Sequence, residues 1–326
     1  MRDSPTEALT GKELRFDRQA RMFGINGQAE LRRMSVGVIG LGGGGSMICE
    51  QLAHLGVGAI TAIDFDVVKE HNLSRIVGAT SEDAAMGVKK VEVARRLVAR
   101  IDSAIRFEPI DGDISERHVA EQLMGVDFIF LATDTMTSRH VANAIVHSHL
   151  IPMIQIGAKI DLRETKEIES VYVAVRPVYP GRGCLHCAGL IDPYELQREE
   201  ASEEEREAQN YLGLPETIDP SVITLNGIGA SIATNTMLMS AVGLAKRTLL
   251  DHRLFDARFG TWLTLQGRKD GECQWCSPSQ GSRYGIGDNA KLPLKLTQLK
   301  PSSSSRPEPY GKSGLRRSLA RLFRRA

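Results

Sequence analysis

The chain has 326 residues, 42% hydrophobic and 25% charged, with a formal net charge of +1. That size allows a large α/β core, alone or with an appendage, and the balanced charge gives no case for nucleic acid as a general partner. No apolar run is long enough to span a bilayer, and the opening stretch Met1–Lys12 is polar without a secretory pattern, so a cytoplasmic location is expected. In chain order, the first strong signal is Ser35–Leu41, a short run rich in Val and Ile that suits a buried parallel strand. Gly40, Gly42, Gly43 and Gly45 follow at G-x-G-x-x-G spacing, with Gly44 making the loop richer still. Glycine permits a tight turn and lets backbone approach a ligand closely. Met47–Leu55 reads as the next helix, whose N-terminal N–H groups and dipole would face phosphates. Alone, the pattern marks any nucleotide-binding Rossmann domain, dehydrogenases included.

Gly58–Ile63 reads as a second strand ending at Asp64, where an acid commonly hydrogen-bonds a ribose hydroxyl. Downstream lie Asp66, Asn72, Arg75, Lys89 and Lys90, and such a gathering of cations suits a triphosphate better than a nicotinamide dinucleotide. Lys89–Arg100 is helical, with Val91, Ala94, Leu97 and Val98 on one stripe. Strands are expected at Ile105–Ile110, Val126–Leu131 and Ile151–Ile156, and helices at Glu116–Met124 and Ser138–Ser148. This wiring predicts an α/β fold: a Rossmann-like, doubly wound, mostly parallel sheet with helices on both faces. Ser170–Arg176 reads as a strand opening an antiparallel C-terminal extension. Glu195–Glu207 is strongly acidic, either a solvated helix or loop, or a cover over a channel for a substrate's tail. Ser221–Leu249 is long, rich in small residues and helical in pattern. After the linker-like Lys300–Pro309, Leu315, Leu319, Leu322 and Phe323 share a helical face among five arginines, a mobile tail or a surface for an acidic partner or anionic lipid.

Four of the five cysteines form two C-x-x-C pairs, Cys184/Cys187 and Cys273/Cys276. Two pairs can surround one tetrahedral Zn²⁺ and join distant segments; two independent redox pairs or a disulfide are the alternatives, the disulfide disfavoured in a cytosolic context. Cys49 lies among apolar residues and reads as structural. The histidines form no arrangement with a serine and an acid that would support a protein nucleophile.

These motifs, in this order, resemble the ThiF/MoeB/HesA family, the adenylating relatives of ubiquitin-activating enzymes. The resemblance runs from about Arg15 to Pro278. Arg15-Phe-Asp-Arg18-Gln19 is similar to the family's R-[YF]-x-R-Q signature, Asp64-Phe-Asp66 with Asn72 and Arg75 to its D-x-D…N-L-x-R segment, Gly87-Val-Lys-Lys90 to G-x-x-K, and Ala132-Thr-Asp134 to T-D-[NS]. Two positions depart: Ile76 stands where Gln is frequent, and Thr135 where Asn is frequent. The resemblance implies catalytic roles for Arg18, Arg75, Lys90 and Asp134. Arg18 would reach the γ-phosphate across a homodimer interface. Gly40, Gly42, Gly43, Gly45, Asp64, Asp66, Asn72 and Lys90 would hold ATP, and Asp134 would bind Mg²⁺. Lys89 competes with Lys90, but the spacing from Gly87 favours Lys90. Cys184, Cys187, Cys273 and Cys276 would form a structural zinc knuckle.

The organisation implied is an N-terminal helical arm (1–34), an ATP-binding adenylation domain (35–278) with a crossover loop at about 188–220, and a linker with a basic tail (279–326). The helical segment Ser221–Leu249 would pack against its twin. The implied activity is adenylation of the C-terminal carboxylate of a ubiquitin-like or sulfur-carrier protein ending in Gly, within a bacterial ubiquitin-like conjugation system or upstream of a sulfurtransferase. No cysteine lies in Ala188–Asn226, so a thioester step on a dedicated cysteine is not expected. The alternatives are a peptide, small-molecule or tRNA-base carboxylate as substrate, or a non-catalytic nucleotide-binding scaffold.

Overall fold

The computed structural model describes residues 11–162, 167–201, 220–246 and 251–295. The second half of the acidic stretch, from 202 on, the end of Ser221–Leu249 and the whole basic tail lie outside these. One eight-stranded sheet, in the order β3-β2-β1-β4-β5-β6-β7-β8, organises the chain. Its parallel half comprises β1 (Ser35–Ile39), β2 (Ala59–Ile63), β3 (Arg106–Ile110), β4 (Phe128–Leu131) and β5 (Met153–Leu162). The antiparallel extension comprises β6 (Ile168–Val178), β7 (His252–Asp256) and β8 (Thr261–Leu265). All pairings from β3 through to β5 are parallel, and those from β5 to β8 are antiparallel.

The central strands read as continuous apolar runs because both of their faces are covered. One core gathers Val36, Val38, Ile60, Phe128 and Phe130 with α2 (Gly43–Leu55), α4 (Lys90–Ile101) and α8 (Ile223–Ala241). The other gathers Ile39, Ile129, Leu131 and Met153 with α6 (Met136–His149). The N-terminal helix α1 (Asp17–Arg33) changes direction at Gly24, whose φ is 78°. Short helices α3 (Ser81–Met86), α5 (Arg117–Ala120) and α7 (Pro193–Glu200) complete the set described.

Several boundaries differ from the sequence reading for identifiable reasons. The helix expected from Met47 starts at Gly43, inside the glycine run, and only Gly40 of that run has positive φ. The run is needed for space. A Cβ on Gly45 would lie 1.8 Å from the Gly40 carbonyl oxygen, and one on Gly43 would lie 2.2 Å from Asn226 Nδ2. The expected helix Glu116–Met124 is one short α-turn continued by a 3-10 turn over Glu121–Leu123. The strand expected to end at Ile156 runs on to Leu162, because β6 pairs along its whole length. Helix α8 is mostly apolar, with Ser231 and Asn235 on its exposed side, and packs between α2 and strands β5 and β6. Cys49 is fully buried beneath the glycine turn, where burial raises its thiol pKa to about 12.

Candidate active site

The carboxyl ends of β1, β2 and β4 open into one cavity of about 670 Å³. It lies where the strand order reverses between β1 and β4, the position at which open α/β sheets bind ligands. Gly40, Gly42, Gly43, Asp64, Asp66, Asn72, Arg75, Lys90 and Asp134 all line it. These are nine of the eleven residues expected from the sequence to act in catalysis or to hold ATP; Arg18 and Gly45 are the other two. Gly45 sits within the turn itself, packed on Gly40.

Asp64 ends β2 and is buried. Its Oδ2 accepts from the Leu41 amide at 2.6 Å and its Oδ1 from the Asp66 amide at 2.8 Å. Burial raises its pKa, and Lys90 with these two amides offsets that only in part. Lys90 starts α4 and is itself buried, with Nζ 2.5 Å from Asp66 Oδ2 and 3.7 Å from Asp64 Oδ1. Lys89, by contrast, turns away from the cavity to the Phe65 carbonyl at 2.8 Å and Asp111 at 3.0 Å. The structure therefore puts Lys90, and not Lys89, on the cavity wall. Asn72 is buried and its Oδ1 accepts from the Lys69 amide at 3.1 Å, fixing the turn that carries Arg75. Arg75 itself donates to the His71 carbonyl at 2.7 Å.

Asp134 follows β4 and is exposed to the cavity. The next residue, Thr135, caps α6 by accepting from the Ser138 amide at 3.3 Å, so the departure to threonine has a structural use. The other departure, Ile76, is buried in the core. Arg18 is exposed and is not part of its own chain's cavity wall, while neighbouring Arg15 pairs with Asp102 at 3.4 Å.

Three features escaped the sequence reading. Glu199, on the acidic helix α7, reaches the cavity and accepts from the amides of Met136 and Thr137 at 2.9 and 2.7 Å and from Thr137 Oγ1 at 2.8 Å. Asn226 packs against Gly43 and hydrogen-bonds Ser221 at 3.1 Å. Lys295 returns to the cavity rim and meets Asp113 at 2.8 Å. The acidity of α7 was visible in sequence; its destination was not.

Away from the cavity, the four paired cysteines converge. Their sulfurs all lie within 4.8 Å of one another, with Cys184–Cys187, Cys184–Cys273 and Cys187–Cys276 separated by 3.6, 3.7 and 3.5 Å. Tetrahedral Zn–S bonds of about 2.3 Å set sulfur spacings of roughly 3.8 Å, so the four thiols fit such an ion. His186, between the first pair, stacks on Trp275 between the second, and hydrogen-bonds His140 at 2.8 Å.

A parallel sheet with a glycine turn, an acid closing β2 and cations around one cavity defines a nucleotide-binding protein of Rossmann-like class. Residues 16–274 match the ThiF family. The chain is 32% identical over 189 residues to molybdopterin-synthase adenylyltransferase of Salmonella typhimurium, covering 55% of this chain and 75% of that protein. It is 31% identical over 131 residues to the SAMP-activating enzyme E1 of Haloferax volcanii, covering 40% and 48%. Among solved structures, E. coli MccB in complex with N-formylated MccA superimposes with a TM-score of 0.66 at 19% identity, covering 81% of this chain and 75% of that one. PaaA superimposes with a TM-score of 0.62 at 22% identity. The chain belongs to the ThiF family, and the relatives it matches include proteins named as adenylyltransferases. No helix among the described residues is long and apolar enough to cross a membrane.

Proposed function

We propose that this protein adenylates the C-terminal carboxylate of a ubiquitin-like or sulfur-carrier protein, consuming ATP and releasing pyrophosphate. The observation that carries the reading is the convergence of the glycine turn, Arg75, Lys90 and Asp134 on one cavity. In this reaction a carboxylate oxygen attacks the α-phosphorus, the bond to the bridging oxygen breaks, and pyrophosphate leaves with the electron pair. Anionic charge surrounds every reacting atom, so the protein's task is to align and neutralise it. Backbone amides at the start of α2 face the phosphates, Asp64 takes the ribose, and Arg75 and Lys90 take phosphate charge. On nucleotide binding Lys90 would exchange part of its pairing with Asp66 for phosphate oxygens. Mg²⁺, held through Asp134, would supply further charge neutralisation on the phosphates. Arg18, exposed outside its own cavity, would complete the site of a second copy in a homodimer. Cys184, Cys187, Cys273 and Cys276 would hold Zn²⁺ in a closed set of four sulfurs that does no chemistry.

Thermal unfolding with and without ligand separates this reading from a dehydrogenase. Mg·ATP should raise Tm, by an amount that grows with the logarithm of its concentration above Kd. A rise with NAD and none with ATP would contradict the proposal.

A further inference from the structure

Two guanidinium groups near the cavity have no carboxylate partner among the described residues. Arg139, on α6, lines the cavity; its Nε is buried without a hydrogen-bond partner, and its Nη1 donates only to the Leu190 carbonyl at 3.2 Å and to Met136 Sδ at 3.6 Å. Arg176, on β6, donates through Nη1 to Gln155 Oε1 at 2.6 Å. Gln155 is its cross-strand neighbour on β5 and is 1% exposed. Neither arginine forms an ion pair with a carboxylate among the described residues. Burial lowers the Arg139 guanidinium and Asp134 and Glu199 offset that only in part, whereas Arg176 is lowered both by burial and by the repulsion of Arg139. Together these hold Arg176 down to about 10, far below an ordinary guanidinium.

Partly buried like charges that no carboxylate contacts directly are costly, and an anion bound between them lowers the cost. Access exists. Gly157, on β5, lines the cavity beside Arg176, and a Cβ there would already lie 3.9 Å from Arg176 Nη1. The missing side chain leaves the sheet face open at that point. The phosphate-facing groups Arg75 and Lys90 belong to the turns after β2, on the far side of the glycine turn from β5 and β6. The same end of the cavity already holds one carboxylate, that of Glu199 on the α6 amides.

We infer that Arg139 and Arg176 form a carboxylate subsite, reached past Gly157, that holds an acidic group of the acyl substrate and selects for it. The inference rests on the adenylation reading for the identity of the ligand as an acyl substrate. Gln155 is a positioning residue, because it aims Arg176.

The test is titration calorimetry on the full chain loaded with Mg²⁺ and α,β-methylene ATP, which cannot be cleaved to pyrophosphate. The probes are N-acetyl-Glu-Glu-Gly-Gly, its Gln-Gln counterpart, and the C-terminal amides of both. The acidic peptide should bind about tenfold more tightly than the Gln-Gln peptide, the scale of a charge-assisted hydrogen bond. Arg176→Gln, Arg139→Gln and Gly157→Val should each erase most of that preference while nucleotide affinity stays as in the wild type. If instead amidation of the terminus alone removes the arginine-dependent affinity, the subsite takes the terminal carboxylate and the inference stands with that source. Equal binding of all four peptides by the wild type, or a preference unchanged in both arginine variants, would overturn it. Failure of the nucleotide analogue to bind would count against adenylation instead.

Discussion

The two halves of the sheet hold their sites in opposite ways. The parallel half builds its cavity from what is left out. Gly43 and Gly45 carry no side chain because Asn226 and the Gly40 carbonyl occupy that space. Its cations sit within a few residues of the turns that place them. The antiparallel half is held by groups brought together over long stretches of chain. Cys184 meets Cys273, His186 stacks on Trp275, and β7 pairs with β6. Its outer strand β8 is exposed along its whole length, with Trp262, Leu263 and Leu265 among its residues. One half is thus specified by local stereochemistry, the other by closure between distant segments.

Removing the zinc proposed for the four cysteines is the strongest way to separate the halves. A chelator, or Cys276→Ser, should lower Tm by on the order of 10 °C, through loss of the cross-link between the two cysteine pairs. ATP affinity should change little, since the glycine turn lies in the other half. Calorimetry and nucleotide titration on the same sample check both statements, and equal loss of both would erase the distinction.

Gly45→Ala tests the parallel half. Its new Cβ meets backbone rather than a flexible side chain, so the turn must move. A loss of about 3 kcal/mol in urea unfolding is expected, with nucleotide binding abolished. Lys90→Ala should weaken ATP by about 2 kcal/mol with little change in fold, read by titration. It also removes the cation that partly offsets the burial of Asp64.

The smallest expected effect is at Asp83 in α3, which precedes the Gly87–Lys90 segment. Asp83 accepts from Arg96 Nη2 at 2.7 Å and from Thr80 at 2.9 Å. Burial pushes its carboxyl upward, but Arg96 and Thr80 outweigh burial and hold it below 3.8. A depressed carboxylate stabilises the fold above its unfolded pKa and ceases to as pH falls through the folded value. Asp83→Asn should therefore cost about 1 kcal/mol at neutral pH, and the gap from wild type should close below about pH 4. A gap independent of pH would mean that charge plays no part there.

What could be read in the sequence follows the same division. The glycine spacing, the strand ending at Asp64 and the start of α4 at Lys90 are local patterns, and the structure brings them to one cavity. The cysteine pairs were visible as pairs, though their meeting depends on the whole extension. Glu199 was legible only as acidity, because its approach to the first turn of α6 is tertiary. Arg139 and Arg176 carried no signal at all. An arginine is commonplace on a helix or strand, and only burial without a carboxylate makes these two informative.

The central claim is that this cavity makes an acyl adenylate on a protein terminus. ATP–pyrophosphate exchange with Mg²⁺, using the full chain and a β-grasp carrier ending in Gly, tests it most directly. The account predicts exchange that requires the carrier's terminal Gly and falls at least about a hundredfold in Asp134→Ala. ATP binding without exchange on any Gly-terminated carrier, or exchange untouched by Asp134→Ala, would contradict it and favour a peptide, small-molecule or tRNA-base substrate, or a scaffold.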